Sequence, residues 1–452
     1  MTRFPPRLLA PLLLAFATAA AAQSPVVQTP DEALAQDAAE YARQHDVALD
    51  EALRRLRAQE ESVAATDGLR ARFARRLAGI AIEHEPDYRI VVLLKGGKSV
   101  ADETVEAGGM VVPVVFRTGL AATRAEIVKA IEKKRDRIRA VLPEARGMGA
   151  DPRTGELVVM LSEGDKPDAD LAALGAEISE VAGVPARVRL IEAPEANLAV
   201  EGGARVVGND AVTGRRSVCT VGFVVSEGIR GGVVTAAHCP DLLTYTEPDG
   251  ATAELPFVGQ WGWSFQDVQV NTAPAMPDPI FYADAKKQAA RVPAAQRARA
   301  STRAGDFVCH RGERTGYSCG EVELTDYAPP GDLCGGPCAP DWVTVGGADC
   351  GGGDSGGPIF SGDVAFGIMK GGTWDRAGKC RFYYYMSLDY LPKGWTLVTR
   401  PIPPPDGEGV GALDGPRPSK IMPGGHDLAP TQPKAGGGGP APVSGGASSS
   451  LR

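Results

Sequence analysis

The chain has 452 residues, a net charge of −8 and a pI near 5.4. This length is enough for two or three domains, and the acidic charge balance gives no indication of nucleic-acid binding. No internal apolar run reaches the ~18 residues that a membrane-spanning helix needs, so we expect no membrane partner.

The N-terminus is typical of a signal peptide. Arg3 and Arg7 precede a short apolar stretch, and the alanines at 20–22 offer a small-residue cleavage site. A membrane anchor is the alternative, but the apolar stretch is short and contains a proline. We expect residues 1–22 to be removed before Gln23 and the protein to be secreted, outside the cell or into the periplasm.

A helical segment is predicted for residues 23–107. A capping box at Thr29 and Glu32, with proline at the first helical position, predicts a helix to about Gln44. A second helix begins at about Asp50. Residues at i, i+4 spacing predict a third helix with one apolar face: Leu69, Phe73 and Leu77.

A small α+β domain and a connector are predicted for residues 108–202, with two helices packed on one sheet. Its charged helical faces are interpreted as solvated, because no polar cluster in it resembles a catalytic site. The predicted strands are 110–116, 156–161 and 187–191, and the predicted helices follow a cap at Thr123 and span about 168–182.

From Val218 onward, short strands, frequent glycines and turn residues replace the amphipathic helices. This pattern is typical of an all-β barrel or sandwich. Residues 274–300 form a longer connector that could join two barrels. The predicted strands are 218–225, 232–236, 268–271, 307–310, 320–324, 342–345, 358–360, 365–369 and 382–388.

All eight cysteines fall between Cys219 and Cys380, which indicates disulfides within one domain of an exported protein. A metal site is the alternative, but this segment contributes only His238 and His310, so we expect no metal and no cofactor. Residues 401–452 are rich in proline, glycine and serine and contain too few apolar residues to form a core.

One glycine-rich segment predicts a nucleophile. Ser355 has Gly353 two residues before it and Gly356-Gly357 directly after it. Glycines allow a tight turn and a close approach to substrate, so the N–H groups of Gly353 and Ser355 are expected to form an oxyanion hole. The alternative is a surface turn that contains a serine.

His238 and Asp267 are the expected partners of Ser355. His238 lies at the end of a predicted strand, next to Cys239, and would act as the general base. Asp267 begins another strand after apolar residues and would fix the imidazole tautomer. Asp278 and Asp284 lie in the connector and look solvated, so Asp267 is preferred.

The order His, Asp, Ser in these contexts resembles the chymotrypsin family of serine peptidases, and most of all its bacterial streptogrisin and alpha-lytic protease branch. The motifs that carry the resemblance are Cys219-Thr-Val-Gly-Phe223, Thr235-Ala-Ala-His-Cys239, the segment from Asp306 to Gly320, and Gly353-Asp-Ser-Gly-Gly-Pro358. They lie within residues 203–400, the predicted protease domain. The α+β unit resembles that branch's pro-domain more weakly.

The resemblance implies an all-β double six-stranded barrel, preceded by the helical segment and the α+β pro-domain. It also implies synthesis as a zymogen whose own pro-region assists folding and inhibits the protease, which we expect to be a monomer. The implied disulfides are Cys219–Cys239, Cys309–Cys319 and Cys350–Cys380, which leaves Cys334 and Cys338 for a short-loop bridge.

Two residues depart from the family pattern. Asp349 falls six residues before Ser355, where trypsin-like members carry the aspartate that binds Arg or Lys. The bacterial branch usually has one more residue between its pocket cysteine and the serine, so this agreement in position is alternatively an accident of a one-residue shift. Lys370 stands where the family normally has a serine bonded to the catalytic aspartate, so it either pairs with Asp267 or points outward. The candidate specificity pocket comprises Asp349, Cys350, Lys370, Gly371 and Gly372.

The sequence therefore predicts a secreted serine endopeptidase that acts on protein or peptide substrates through an acyl-enzyme. A pseudo-protease that serves as a binding module is the first alternative. An esterase is the second, because Gly353-Asp-Ser-Gly-Gly357 fits a Gly-x-Ser-x-Gly elbow. The cysteine-rich β context and the order of the three residues disfavour an esterase.

Overall fold

The computed structural model describes residues 26–166, 170–191, 196–197, 204–209, 216–246, 252–261, 266–273, 277–334 and 336–399. The predicted signal peptide, the predicted C-terminal tail and parts of the predicted connector at 194–209 lie outside these ranges.

The N-terminal part contains three helices and a four-stranded sheet in the order β2-β3-β5-β4. The capping box predicted at Thr29 is present, since Glu32 N–H donates to Thr29 Oγ1. Its elements are β1 (Val26–Val27), α1 (Pro30–His45), α2 (Leu49–Glu61), α3 (Val63–Arg72), β2 (Leu77–Glu83), β3 (Arg89–Lys95), β4 (Glu103–Ala107) and β5 (Met110–Leu120).

Two details of this part differ from the sequence expectation. Leu77 is not on the third helix, because α3 ends at Arg72 and Leu77 pairs with Leu94 across β2 and β3. Strand β5 pairs with β3 and β4 rather than with the following α+β unit. A domain boundary at residue 108 would therefore cut this sheet.

The α+β unit packs two helices on a small sheet, as the apolar spacing predicted. The buried face of its first helix carries Ile127, Ile131 and Ile138, and Ile178 of the second helix joins the same core. Its elements are α4 (Arg124–Val141), β6 (Ala145–Asp151), β7 (Glu156–Ser162), α5 (Leu171–Ala182) and β8 (Ala186–Ile191), and the short strand β9 (Ala196–Asn197) follows.

The β-rich part begins with two sheets, β11-β10-β14-β15 and a second that contains β16-β17-β13-β12. The Cys219–Cys239 disulfide joins the strand β11 to the residues that follow β13. The strands are β10 (Arg205–Asn209), β11 (Arg216–Thr220), β12 (Val224–Glu227), β13 (Arg230–Ala236), β14 (Leu243–Thr246), β15 (Thr252–Leu255), β16 (Phe257–Trp261) and β17 (Val268–Thr272).

The predicted connector contains short strands that pair with other parts of the chain. In particular, β19 accepts β1 as a parallel neighbour, so the described N-terminus lies against the connector. The strands are β18 (Phe281–Tyr282), β19 (Ala289–Arg291) and β20 (Ala295–Gln296).

The last part of the described chain forms a closed barrel of six strands in the order β26-β25-β21-β22-β24-β27, with β27 pairing back to β26. The strands are β21 (Phe307–Gly312), β22 (Gly316–Val322), β23 (Asp326–Ala328), β24 (Val343–Gly346), β25 (Pro358–Ser361), β26 (Val364–Trp374), β27 (Cys380–Ser387) and β28 (Thr396–Leu397). Short 3-10 helices lie at Glu163–Asp165, Arg299–Ser301, Gly331–Cys334 and Leu388–Tyr390.

Two strands link this barrel region to other sheets. β28 returns to pair with β12 of the first β-sheets, and β23 adds a fourth strand to the α+β sheet by pairing with β6. The closed six-stranded barrel and the mostly strand content of this region confirm the predicted all-β fold of the protease domain. Four disulfides are present, Cys219–Cys239, Cys309–Cys319, Cys334–Cys338 and Cys350–Cys380.

The N-terminal helices share a core with the second barrel. Tyr41 of α1 and Leu56 of α2 belong to the same buried cluster as Phe307 and Phe360. None of the helices within the described residues is long and apolar enough to cross a membrane.

Candidate active site

His238 and Asp267 meet at the edge of the first β-sheets, where β13 ends and β17 begins. The His238 Nδ1 lies 2.8 Å from Asp267 Oδ2, and the His238 backbone N–H donates to Oδ1, also at 2.8 Å. Asp267 is only 1% exposed and has a φ of 52°, a left-handed conformation that Asp tolerates better than most residues. Two bonds therefore fix the carboxylate against the imidazole.

Ser355 completes this constellation from the other barrel. Its Oγ lies 2.9 Å from His238 Nε2, and its backbone carbonyl accepts a hydrogen bond of 2.7 Å from Thr220 N–H. Gly356 has a φ of +84°, and a Cβ there would lie 2.2 Å from Thr220 O. Only glycine fits this position, so the turn that presents Ser355 depends on it.

Asp354 holds the turn in front of Ser355. Its buried carboxylate accepts N–H groups from Gly351 at 2.8 Å, Arg314 at 3.1 Å and Thr315 at 3.2 Å, and the Thr315 hydroxyl at 2.7 Å. Burial raises the pKa of Asp354, against the opposing effect of these hydrogen bonds. The loop that contains Gly353, whose φ is +131°, is thus anchored to the β21–β22 hairpin.

The electrostatics of Asp267 favour the ionised carboxylate. Burial alone raises the pKa of Asp267, but the charges and hydrogen bonds of His238 and Lys370 outweigh it and lower the pKa to about 2. Asp267 is therefore an anion at neutral pH and can accept the Nδ1–H of His238. This tautomer leaves Nε2 able to accept the Ser355 proton.

The residues predicted for a specificity pocket separate into different surroundings. Lys370 is buried and its Nζ lies 2.8 Å from Asp267 Oδ2, so its side chain points to the constellation. Asp349 is exposed; its N–H donates to Ser318 Oγ at 2.9 Å, and it shares a surface hollow with Arg43 and Lys379.

Gly371 and Gly372 form an edge that another part of the chain occupies. The backbone of Ala196–Asn197 pairs antiparallel with them, Asn197 with Gly371 and Ala196 with Gly372. A Cβ at Gly372 would lie 2.8 Å from Cys350 Sγ, so glycine keeps the space beside the Cys350–Cys380 disulfide open.

Three residues that sequence reasoning did not assign contribute to the site: Thr220, Thr315 and Asp354. Thr220 follows Cys219 directly, and its Oγ1 donates to Gly353 O at 3.2 Å. Asp354 lies inside the Gly353–Pro358 motif, and its position next to Ser355 could have identified it from the sequence. Thr315 gave no comparable signal.

One grouping of potential metal ligands occurs among the described residues, Asp37 with Cys309 and Cys319. The two cysteines form a disulfide and therefore offer no thiolate to a metal.

Asp267, His238 and Ser355 form a hydrogen-bonded series of the kind that serine hydrolases use on several unrelated folds, and here it lies between the first β-sheets and the closed six-stranded barrel. No family model matches the chain. The chain is 28% identical over 237 residues to streptogrisin-C of Streptomyces griseus, covering 50% of this chain and 48% of that protein. It is 29% identical over 188 residues to streptogrisin-D of the same organism, covering 38% and 42%.

The chain thus spans about half the length of the curated relatives that it matches, and these matches confirm the resemblance to bacterial streptogrisins. Among solved structures, it is similar to Thermobifida fusca protease A, with 22% identity, a TM-score of 0.34 and coverage of 44% of this chain and 99% of the other. Cellulomonas bogoriensis chymotrypsin has 22% identity, a TM-score of 0.33 and the same coverage.

Proposed function

We propose that the protein is a secreted serine endopeptidase, made as a zymogen, that hydrolyses peptide bonds through Ser355, His238 and Asp267. The observation that carries this proposal is the continuous hydrogen-bonded series from Asp267 Oδ2 to His238 and from His238 Nε2 to Ser355 Oγ. A nucleophile, a base and a group that orients the base are the requirements for acyl transfer at a serine.

In the proposed mechanism, Ser355 Oγ attacks the carbonyl carbon of the scissile bond while His238 Nε2 takes its proton. The N–H groups of Gly353 and Ser355 stabilise the oxyanion, and the Asp267 carboxylate stabilises the imidazolium. His238 then protonates the leaving amine, and water activated by the same histidine hydrolyses the acyl-enzyme.

The part of the chain before the β-rich region is proposed to act as a folding assistant and inhibitor. Three contacts support this role. The strand β9 lies along Gly371–Gly372, β6 pairs with β23, and Gln59 of α2 both donates to Phe307 O at 3.2 Å and accepts from Phe307 N–H at 2.6 Å. A segment that pairs with the edge beside Ser355 competes with an extended substrate for the same backbone groups.

The proposed substrate preference is for apolar or aromatic residues before the scissile bond. The exposed position of Asp349 supports this preference, because a solvated carboxylate binds a substrate Arg or Lys weakly. Cys350 and Cys380, with the buried Tyr383, border the space beside Gly372 and offer an apolar surface.

The proposal is tested by purifying the secreted protein and measuring hydrolysis of an unfolded protein substrate together with its N-terminus by mass spectrometry. We expect hydrolysis, and an N-terminus within or after the predicted connector. As a matched control, Ser355→Ala should be secreted as the full precursor without hydrolysis. Equal hydrolysis by wild type and Ser355→Ala would refute the assignment.

A further inference from the structure

Lys370 contacts both ends of the proposed catalytic constellation. Its Nζ lies 2.8 Å from Asp267 Oδ2, and its backbone carbonyl lies 3.4 Å from Ser355 Oγ. The side chains of Lys370 and Asp267 are 2% and 1% exposed. A lysine ammonium is seldom buried to this degree without a strong partner, and here that partner is the carboxylate that orients His238.

A β-bulge gives Lys370 this direction. Within the ladder between β26 and β27, Met369 pairs with Tyr385 and Gly371 with Tyr384, so Lys370 is the additional residue. Bulges disrupt the alternation of side chains and can re-aim one of them. The ammonium also lies 5.2 Å from the centre of the buried Trp342 ring, whose face favours a cation.

Two groups share one carboxylate oxygen at this point. His238 Nδ1 and Lys370 Nζ both lie 2.8 Å from Asp267 Oδ2. Lys370 therefore neutralises part of the charge that would otherwise stabilise a protonated His238. It also places an ammonium group close to the imidazole that would act as the base.

The other groups near the constellation have partners of their own. On the Ser355 side, the Asp354 carboxylate is engaged by Thr315 and by backbone N–H groups. The charges of His238 and Lys370 both lower the pKa of Asp267. Lys370 is thus the group whose removal changes the charge balance of Asp267 and His238 most directly.

We propose that Lys370 is a positioning residue that fixes the Asp267 carboxylate and, through its charge beside the Asp267–His238 pair, extends the reactivity of Ser355 to lower pH. This inference rests on the proposed function of Ser355 and deepens it. It goes beyond that function because it assigns the pH range of the reaction to one lysine. The same charge should lower the maximal rate, since the imidazolium forms in the transition state.

The test measures sulfonylation of Ser355 by phenylmethylsulfonyl fluoride as a function of pH, by mass spectrometry of the purified secreted protein. Hydrolysis of a peptide substrate is measured in parallel. The variants are Lys370→Ser, Lys370→Met and the charge-conserving Lys370→Arg. The sulfonylation rate should fall as the pH is lowered, and we expect the midpoint of this fall to rise by about one pH unit in Lys370→Ser and Lys370→Met. In Lys370→Arg the midpoint should stay unchanged.

The outcomes separate a charge effect from a structural one. Slower reaction at every pH with an unmoved midpoint would mean that Lys370 only supports the fold, and the proposal would be overturned. The proposal would also be overturned if Lys370→Ser and Lys370→Met both failed to fold, as judged by near-ultraviolet circular dichroism. A midpoint that rises equally in Lys370→Arg would also contradict a role of the charge.

The sulfonylation reaction also separates this proposal from the assignment of the enzyme. Sulfonylation with the expected shift but no peptide hydrolysis would refute the endopeptidase and support the role of Lys370. A wild-type Ser355 that does not react at any pH would overturn both proposals.

Discussion

Asp37 of the first helix and Arg291 of the connector form a bidentate ion pair from which solvent is excluded. The Arg291 nitrogens lie 3.0 and 2.9 Å from the two Asp37 oxygens, and both side chains are 0% exposed. Asp37 also accepts from Gly362 N–H at 2.6 Å and from Tyr317 Oη at 2.7 Å. The N-terminal helix therefore supplies a counter-charge to the interior of the β-rich part.

The first prediction follows from this pair. Asp37→Ala should lower the free energy of unfolding by about 3–5 kcal/mol, because it leaves the Arg291 guanidinium buried without a counter-charge. Urea unfolding of the full chain in a Ser355→Ala background, which prevents self-cleavage, would measure the change.

Glu40→Ala is the matched control on the same helix. It breaks an ion pair with Arg43, whose side chain is 69% exposed, and should change stability by less than about 1 kcal/mol. An equal decrease in the free energy of unfolding in Asp37→Ala and Glu40→Ala would show that the buried Asp37–Arg291 pair contributes no more than a surface pair.

The second prediction concerns the unit formed by Ser355 and His238. Each single alanine variant should lose nearly all peptidase activity, leaving on the order of 10³–10⁴-fold catalysis over water. The double variant should be little worse than either, since the residues act together. Values of kcat/KM for a peptide substrate would test this, and losses that multiply in the double variant would argue against a shared reaction step.

The third prediction concerns Asp354, which anchors the loop without touching the constellation. Asp354→Asn places an N–H₂ group against donors from Gly351, Arg314 and Thr315, so at least one of these donors loses its acceptor. We expect kcat to fall by at least 100-fold, because a displaced Gly353 N–H weakens oxyanion stabilisation.

Thr315→Val is the milder control for this loop, as it removes only the 2.7 Å hydroxyl contact. Its kcat should lie between those of wild type and Asp354→Asn. Wild-type kcat in Asp354→Asn would exclude a role of this carboxylate in shaping the oxyanion loop.

The fourth prediction is a dependence of stability on pH that arises at His84. His84 Nδ1 lies 2.7 Å from Tyr41 Oη and Nε2 lies 2.7 Å from Gly305 O, so the neutral ring accepts from the hydroxyl and donates to the carbonyl. Burial lowers the pKa of His84 from 6.5 to about 4. Arg55, Arg153, His45 and Glu321 surround the same ring.

The sign follows from the lowered pKa. His84 takes up a proton near pH 6.5 in the unfolded chain and only near pH 4 in the folded chain. The contribution of neutral His84 to the free energy of unfolding is therefore complete above pH 6.5 and is lost as the pH falls to 4. The loss is on the order of 3 kcal/mol. His84→Gln keeps a donor and an acceptor but does not titrate, so its unfolding free energy should fall less between pH 7 and 4. Parallel curves for both proteins would disprove the role of His84.

The fifth prediction concerns Asp349 and substrate choice. Because Asp349 is exposed, Asp349→Ser should leave the preference for apolar or aromatic residues before the scissile bond unchanged in a peptide-library profile. Gly372→Ala is the positive control, since its Cβ would crowd Cys350 Sγ and should lower kcat/KM for every peptide. A strong preference for Arg or Lys that disappears in Asp349→Ser would contradict the prediction.

Local patterns in the sequence were sufficient to single out three residues that the fold places together. His238, Asp267 and Ser355 each lay in a recognisable setting, and the structure brings all three within hydrogen-bond distance. The capping boxes at Thr29 and Thr123 were equally predictable, because a cap is a contact between residues three apart. Resemblance supplied the disulfide pairs, since cysteine spacing alone leaves many pairings possible.

Other features depended on contacts that no local pattern reports. The sequence left two directions open for Lys370, and a bulge in β26 decided between them. The pairing of β5 with β3 and β4 depended on which edges met in the folded chain, as did the position of β9 on Gly371–Gly372. Asp37 and Arg291 are separated by 254 residues, and their partnership results from the packing of α1 against the connector. Sequence periodicity records which face of an element is apolar, whereas the partner of a buried charge is set by tertiary packing.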